Sequence, residues 1–394
     1  MMTKKNYTIA LLGALTLLFA GCSKQLEDKL LSTKSYFENT YVPIEVRGES
    51  TLSYTLTTRA SSPVAKDTKI TYRIGTTADI EEYNKLNNTD YLPFPLEDVS
   101  LPKPEGTIPS GSIYTTPVDL QFKGLDKVEA GKTFLVPVHF ESEGSAPAIA
   151  SSQTMYLALQ KPIQLHKVAQ LNSSYWSKDW ISVPRLTDYT FESVTYEALI
   201  HATDFGGNST VMGVEGKLIL RIGDVGGGLP RDRIQIAGNK QFHYDSGLSE
   251  NKWYHVAFTF NHNTGKAFIY INGKPVANGD WDQIADIREG FAIGRVPHFM
   301  WGERPFSGYM AEVRLWNVAR SETEIQQNML RVDPKSSGLI VYYHLNGEDV
   351  TQDESGKWSV LDATGNGLNG EPNDGLRGIK SEELSVPLEA KDLL

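Results

Sequence analysis

The sequence predicts an all-β protein built as two sandwich domains, and three observations carry that prediction. The first is the stretch from Trp253 to Val276, where Tyr254, Val256, Phe258 and Phe260 alternate with smaller or more polar residues. That period of two marks a half-buried strand. A turn at residues 261–265 leads to a return strand in which Ala267, Ile269 and Ile271 alternate with Phe268 and Tyr270. Asn272-Gly273 then supplies a tight hairpin turn, since both residues tolerate positive φ. The second observation is a series of similar short runs upstream. Val42, Ile44 and Val46 share one face, as do Leu52, Tyr54 and Leu56. Residues 70–74, 118–122, 133–140 and 154–159 follow the same pattern. Pro137 inside one of these runs predicts an edge strand, because proline cannot donate to the ladder. The third is the scarcity of helical spacing. Residues 78–86 form one clear helix, with Ile80, Tyr83 and Leu86 on one face. Residues 321–328 read as a short second one, with Ser321 as N-cap and Glu324 completing a capping box.

At 394 residues, two domains are expected. The boundary is placed near Lys161-Pro-Ile163, where alternation stops and proline favours a connector. Charged residues make up 22% and apolar residues 40%, an ordinary globular balance, and the net charge is −10. No basic patch is available to neutralise phosphates, so a nucleic-acid partner is not expected. The single cysteine, Cys22, rules out an intramolecular disulfide.

The residues from Trp253 onward carry a family likeness. "W-Y-H-V-A" at 253–257, "Y-I-N-G-K" at 270–274, "F-A-I-G-R" at 291–295 and "F-S-G-Y-M-A-E-V-R-L-W-N" at 306–317 resemble the laminin-G/concanavalin A-like jelly roll. Ala311 stands where that family usually carries an acidic residue. The strand at 339–345 and the "D-A-T-G-N-G-L-N-G" turn at 362–370 extend the resemblance over residues 163–375, with 376–394 left as a final strand or tail. The segments "E-Y-N-K-L-N-N-T-D-Y" at 82–91 and "G-K-T-F-L-V-P-V" at 131–138 resemble an immunoglobulin-like domain of unknown function. In Bacteroidetes surface lipoproteins it precedes glycoside hydrolase or laminin-G modules. Here it covers residues 39–162. The expected fold is therefore an N-terminal Ig-like β-sandwich followed by a concanavalin A-like (LamG) jelly roll.

The N-terminus reads as a signal segment over residues 1–21. Lys4 and Lys5 precede an apolar run at 7–20 that is too short for a comfortable membrane span. It ends in Leu-Phe-Ala-Gly-Cys at 18–22, which resembles a bacterial lipobox with Phe19 in place of an aliphatic residue. The resemblance implies lipidation at Cys22. The acidic pair Glu27-Asp28 resembles a surface-export signal, which implies an outer-membrane, surface-exposed lipoprotein. Residues 22–38 read as a tether. A plain secretory signal with a chance cysteine is the alternative.

Catalytic chemistry finds little support. Retaining glycosidases need two carboxylates about 5–5.5 Å apart, and the nearest candidates, Glu348-Asp349 and Asp353-Glu354, lie among loop-forming residues. No Gly-x-Ser-x-Gly elbow and no zinc motif occur, and His255 reads as a structural member of its strand. The family resemblance implies a possible calcium at the rim, with Asp362 and Asn366 as ligand candidates. The alternative is that Asp362 caps its own turn. Aromatic platforms remain, since Trp offers a rigid plane for the apolar face of a sugar. Trp253 and Trp316 fall within strand motifs and read as core. Trp176 and Trp180 read as packing groups. Trp281 beside Asp280, and Trp301 with His298 and Arg304, read as two ligand-binding loops. The expected protein is a non-catalytic surface lipoprotein whose jelly roll binds glycan for polysaccharide or host-glycan use. A protein-binding adhesion or assembly module is the alternative from another class.

Overall fold

The computed structural model describes residues 32–87, 89–171, 179–300 and 302–393. The chain divides into two compact units between Lys161 and Pro162. The first is a sandwich. Its larger sheet runs in the order Tyr41–Glu45, Thr154–Gln160, Thr133–Glu143, Thr68–Ile74, Glu105–Ile108, with Leu92–Pro93 alongside Thr133–Glu143. Its smaller sheet runs Thr51–Leu56, Val118–Lys123, Val99–Ser100. Alternation does the sorting: Val118, Leu120 and Phe122 turn inward while Asp119, Gln121 and Lys123 face out. They meet Ile70, Tyr72, Val136, Val138 and Phe140 from the larger sheet in one core.

Two sequence expectations in this unit need correction. Pro137 lies in the central strand, not at an edge. The strand changes partner around it: the pairing with Leu92–Pro93 ends at Leu135, and that with Thr68–Ile74 begins at Val138. Pro137 offers its carbonyl to Gly75 on that side, so its missing N–H falls in the gap between partners and costs no ladder bond. The helix spans Thr77–Asn87, and Ile80 packs on Leu135 and Ala158. Leu86, however, is 75% exposed, because the helix covers the sheet only with its first two turns.

The second unit is a jelly roll of two antiparallel sheets. The eight-stranded sheet runs Lys274–Asp280, Lys266–Ile271, Trp253–Asn261, Val194–Asp204, Ser307–Trp316, Leu165–Leu171, Lys380–Leu388, and Leu339–Tyr343 pairs with Ser307–Trp316 off this path. The seven-stranded sheet runs Gln241–His243, Leu229–Gly238, Leu218–Asp224, Ser209–Val214, Ala292–Ile293, Ile181–Ser182, Glu371–Pro372. Between them Tyr196, Ile200, Phe258, Phe260 and Leu315 pack on Leu220, Ile222, Ile234, Ile236 and Ile293. The final strand is integral, since Lys380–Leu388 pairs with Leu165–Leu171.

The outer face of the eight-stranded sheet is also buried. The helix Glu322–Gln327 starts at the capping box of Ser321 and Glu324. Met329, Leu330 and Leu393 close over Val168, Leu199 and Ala311. Beneath them lies a charged cluster centred on Glu197. Its carboxylate accepts from Arg320 at 2.8 Å and Arg314 at 3.2 Å, with His255 at 3.3 Å. Arg314 also donates to Glu312 at 2.7 Å and to the carbonyl of Asn328 at 2.9 Å. Burial alone would raise the Glu197 carboxyl. The His255 hydrogen bond and the two guanidinium charges outweigh it and hold the group down to about 2. Glu312 is lowered against the same opposition by His344 and Arg314.

Glu197→Ala leaves buried Arg320 without its carboxylate and Arg314 with Glu312 alone, and the expected loss is about 3–5 kcal/mol of stability, read by urea unfolding. The pH dependence has a fixed sign. Both carboxyls bind protons less readily folded than unfolded, so their contribution is complete above the ordinary value of 4.5. It drains away as pH falls below that value, toward about 2 for Glu197. Urea midpoints should therefore fall on acidification through this window in the parent protein, and less steeply in Glu197→Gln.

Candidate functional site

The outer face of the seven-stranded sheet is different in kind. Apolar side chains of its strands turn inward: Val211, Leu220, Ile222, Ile234 and Ile236 all join the core. Their alternate neighbours form a polar row, because Thr210 pairs with Arg221, Arg221 with Gln235, and Gln235 with His243 across four adjacent strands. Arg221 anchors the row. It reaches Asp224 at 2.7 Å, Gln235 at 3.4 Å and Glu215 at 4.0 Å. Burial lowers its affinity for the proton, opposed by Asp224 and reinforced by the charge of Arg304.

The loop between Ala292–Ile293 and Ser307–Trp316 is laid onto this face. Thr210 N–H donates to the carbonyl of Arg304 at 2.9 Å, and Val296 N–H to that of Glu303. The Arg304 side chain lies 2.5 Å from Glu215, with its guanidinium 4.7 Å over the Phe299 ring. Arg295 reaches Glu303 at 3.2 Å. Where this loop meets residues 207–208 and 224–226, a cleft of about 490 Å³ opens, lined by Asn208, Asp224, Val225 and Arg304 among others. Val225 stands exposed in that lining. Several buried side-chain atoms of these strands and this loop have no hydrogen-bond partner, among them Asn208 Oδ1, Ser209 Oγ, Thr210 Oγ1, Arg221 Nε and Arg295 Nε. Buried polar atoms are otherwise almost always satisfied. In the cleft lining, Asn208, Asp224 and Arg304 offer donors and acceptors, the chemistry that recognises a polyol.

The sequence-predicted residues fare unevenly. Trp301 and Trp176 lie outside the described residues, as does Cys22. Arg304 reaches the polar face. His298 is exposed at φ 58°, and its N–H donates to Glu303. Trp281 is a correction: its ring is 1% exposed. It packs edgewise on Phe242 and Phe258 at 6.0 and 5.8 Å, and its indole N–H donates to Asn239. A ring with its faces enclosed in the core cannot stack a sugar. Asp280 is exposed and pairs across the strand with Lys266. Asp280 ends the edge strand of the eight-stranded sheet, whereas Arg304 faces the Ser209–Val214 strand of the other.

Calcium at Asp362 meets a similar objection. Its two oxygens accept from Tyr342 N–H, Thr364 N–H, Thr364 Oγ1 and Leu368 N–H. Asn366 spends its amide on the carbonyls of Leu339 and Ile340. The carboxylate knots its own turn, and both ligand candidates are engaged within the protein. No grouping of three or more metal-capable side chains occurs among the described residues. Of the carboxylates weighed for hydrolysis, Asp353 is exposed and caps the turn at 353–357. Asp349 is buried, which pushes its carboxyl up. The row of Thr210, Arg221, Gln235 and His243 is absent from the sequence reading. Its signal is present, since Arg221 and Gln235 are polar residues in opposite phase to an apolar run.

Comparisons with known proteins follow this geometry. The Laminin_G_3 model, described as the concanavalin A-like lectin/glucanases superfamily, matches residues 176–326. A model of an N-terminal domain matches residues 28–147. A crystal structure from Bacteroides ovatus ATCC 8483, provisionally named a carbohydrate binding protein, is 36% identical to this chain. The match covers 90% of this chain and 99% of that one with a TM-score of 0.68. A heptameric SAP-like pentraxin from Limulus polyphemus is 13% identical over 41% of this chain and 79% of its own, at a TM-score of 0.32. The CBM40 of a Ruminococcus gnavus IT-sialidase, bound to α2,3 sialyllactose, is 13% identical over 42% and 95%, at 0.30. At those scores neither carries an argument about ligand. No curated protein matches the chain.

Two outcomes test the reassigned residues. Trp281→Ala should cost about 3–5 kcal/mol by thermal or urea unfolding, as a large core truncation does. Asp362→Ala should cost about 1–3 kcal/mol by leaving buried donors unpaired, while chelation with EDTA leaves the melting temperature of the parent protein unchanged. A drop on chelation would restore calcium to the turn.

Proposed function

The chain belongs to the same family as the Bacteroides ovatus protein and carries a domain of the concanavalin A-like lectin/glucanases superfamily; on that premise we propose that it is a glycan-binding protein whose ligand lies on the outer face of the seven-stranded sheet. One observation carries the reading. The cleft of about 490 Å³ beside this sheet is lined by Asp224, Arg304 and Asn208, whose buried side-chain oxygen has no hydrogen-bond partner. Sugar hydroxyls supply both donors and acceptors, and hydrogen bonds to a guanidinium are the stronger kind. Val225, exposed in the lining, suits the apolar C–H face of a ring.

The binding is non-catalytic in this reading. Glu215, Asp224 and Glu303 each face an arginine, at 2.5, 2.7 and 3.2 Å respectively. Hydrolysis would ask two carboxylates to face each other across the scissile bond instead. The immunoglobulin-like unit acts as a spacer. Cys22 carries the lipid that anchors the protein at the outer membrane, a reading supported by Lys4, Lys5 and the Leu-Phe-Ala-Gly-Cys run at 18–22. Surface display beside a glycan-uptake system follows from the same pattern.

The test is a glycan array on the soluble protein from Ser23 onward, alongside Thr210→Val and Arg304→Ala. Thr210→Val is nearly isosteric and should weaken binding by roughly tenfold, while Arg304→Ala should weaken it by roughly tenfold to a hundredfold. Binding that both variants retain in full would move the site elsewhere. No binding to any glycan would favour a protein ligand. In cells, Cys22→Ala should shift the protein from the membrane to the soluble fraction and abolish incorporation of an alkyne-labelled fatty acid.

A further inference from the structure

A second cleft lies at the other end of the chain's course through the jelly roll. The hairpin of Val350–Gln352 and Trp358–Val360 delivers Trp358, and residues 376–380 run past it into the last strand. Trp358, Asp179, Leu376, Arg377 and Lys380 line a space of about 450 Å³ between them. That falls within the range of small-molecule sites, about 300–1,000 Å³.

Trp358 is placed differently from the tryptophans of the core. It is half-buried, joins none of the hydrophobic clusters of the described residues, and stacks on no other ring among them. Its support is Gly378. A Cβ at that position would stand 2.7 Å from the ring atom Cε3 and 2.9 and 3.0 Å from Cδ2 and Cζ3. An edge-on approach would leave the two flanking atoms much farther away than the nearest. Near-equal distances put Gly378 over the ring face. The indole is thus bedded on backbone that only glycine permits so close.

The walls are fixed as well. Trp180 N–H donates to Asn373 Oδ1, Asn373 N–H to the carbonyl of Trp180, and Asn373 Nδ2 to the carbonyl of Arg377. Arg377 reaches Asp179 at 2.6 Å and remains 55% exposed. Leu376 is 84% exposed at the mouth. An aromatic plane braced on one side, an aliphatic neighbour, and a charge pair presenting donors and acceptors match the two kinds of surface on a pyranose ring.

We propose that the Trp358 cleft is a second carbohydrate contact, taking a pyranose whose C–H face stacks on the indole and whose hydroxyls meet Arg377, Asp179 and Lys380. The proposal rests on the glycan-binding reading but not on the site assigned to it. Two separate contacts on one domain would let a polysaccharide bind by avidity, with each contact weak alone.

The experiment is an NMR titration of the soluble protein from Ser23 onward with 15N-labelled tryptophan. Trp358→Phe identifies the Trp358 indole resonance by its disappearance, and unmoved positions of the other indole resonances certify an intact fold. The probes are the methyl glycosides of glucose, galactose, mannose and N-acetylglucosamine. A saturable shift of the Trp358 resonance is expected with at least one of them, and it should persist in Thr210→Val. A Trp358 resonance unmoved by all four overturns the second contact. Array binding lost in Thr210→Val but intact in Trp358→Ala would leave the first site standing without it. A Trp358 shift with no effect of Thr210→Val on the array would do the reverse.

Discussion

The second unit is organised around one buried carboxylate. Glu197 sits at a cross-strand position opposite Arg314 and beside His255, and Arg320 reaches it from the segment leading into the helix Glu322–Gln327. Removing these charges from water is expensive, and only dense mutual pairing offsets it. The pairing also locks chain segments together. Arg314 holds the carbonyls of Asn328 and Met329, and Arg320 holds that of Glu324. A hydrophobic cover alone could slide over the sheet, whereas these directional bonds fix where the helix ends. Glu312 completes the arrangement at φ 54°, a bulged conformation that turns its carboxylate to Arg314, Tyr342 and His344.

That lock decides which surface is left for a ligand. With the helix and the residues up to Leu330 on its outer face, and Leu393 joining them, the eight-stranded sheet has both faces occupied. The seven-stranded sheet keeps its outer face for polar residues. The 296–305 loop then narrows that face without sealing it, through Arg304 and Glu215 at one point and Arg295 and Glu303 at another. Polar side chains that are buried by neighbours yet lack partners are costly in isolation. One such atom, Asn208 Oδ1, lines the cleft beside Asp224 and Arg304.

The sequence shows strands clearly and surfaces poorly, for identifiable reasons. Tyr254, Val256, Phe258 and Phe260 alternate into the core between the sheets. The strand is not half-buried as its period suggests, because His255, Ala257 and Thr259 are covered on the outer face too. Ser321 and Glu324 cap their helix because capping is local chemistry. Trp281 misled because an aspartate on each side suggests exposure, while the ring itself turns in to fill the space between Phe242 and Phe258. Pro137 misled because the rule about edges assumes a strand with one continuous partner. Arg221 and Gln235 are not legible as part of a site, because a polar residue in a strand announces only that it faces away from the core. What it faces depends on the register of four strands that are distant in sequence.

A tryptophan therefore has to be judged by its seat rather than its neighbours in sequence. Trp281, flanked by two aspartates, is core. Trp316 is also core, under the guanidinium of Arg320 at 4.4 Å. Trp358, following an exposed lysine in a polar hairpin, offers a braced ring to a cleft. The deciding feature is Gly378, far along the chain and without a side chain of its own. Burial of an aromatic face is favourable by its area, so an indole left partly open must be held there by a rigid backing or it would fold inward. Gly378 provides that backing, and the bonds of Asn373 to Trp180 and Arg377 keep the opposite wall from collapsing onto the ring. The cleft is thus maintained by backbone and turn geometry rather than by the charge pairing that organises the rest of the unit.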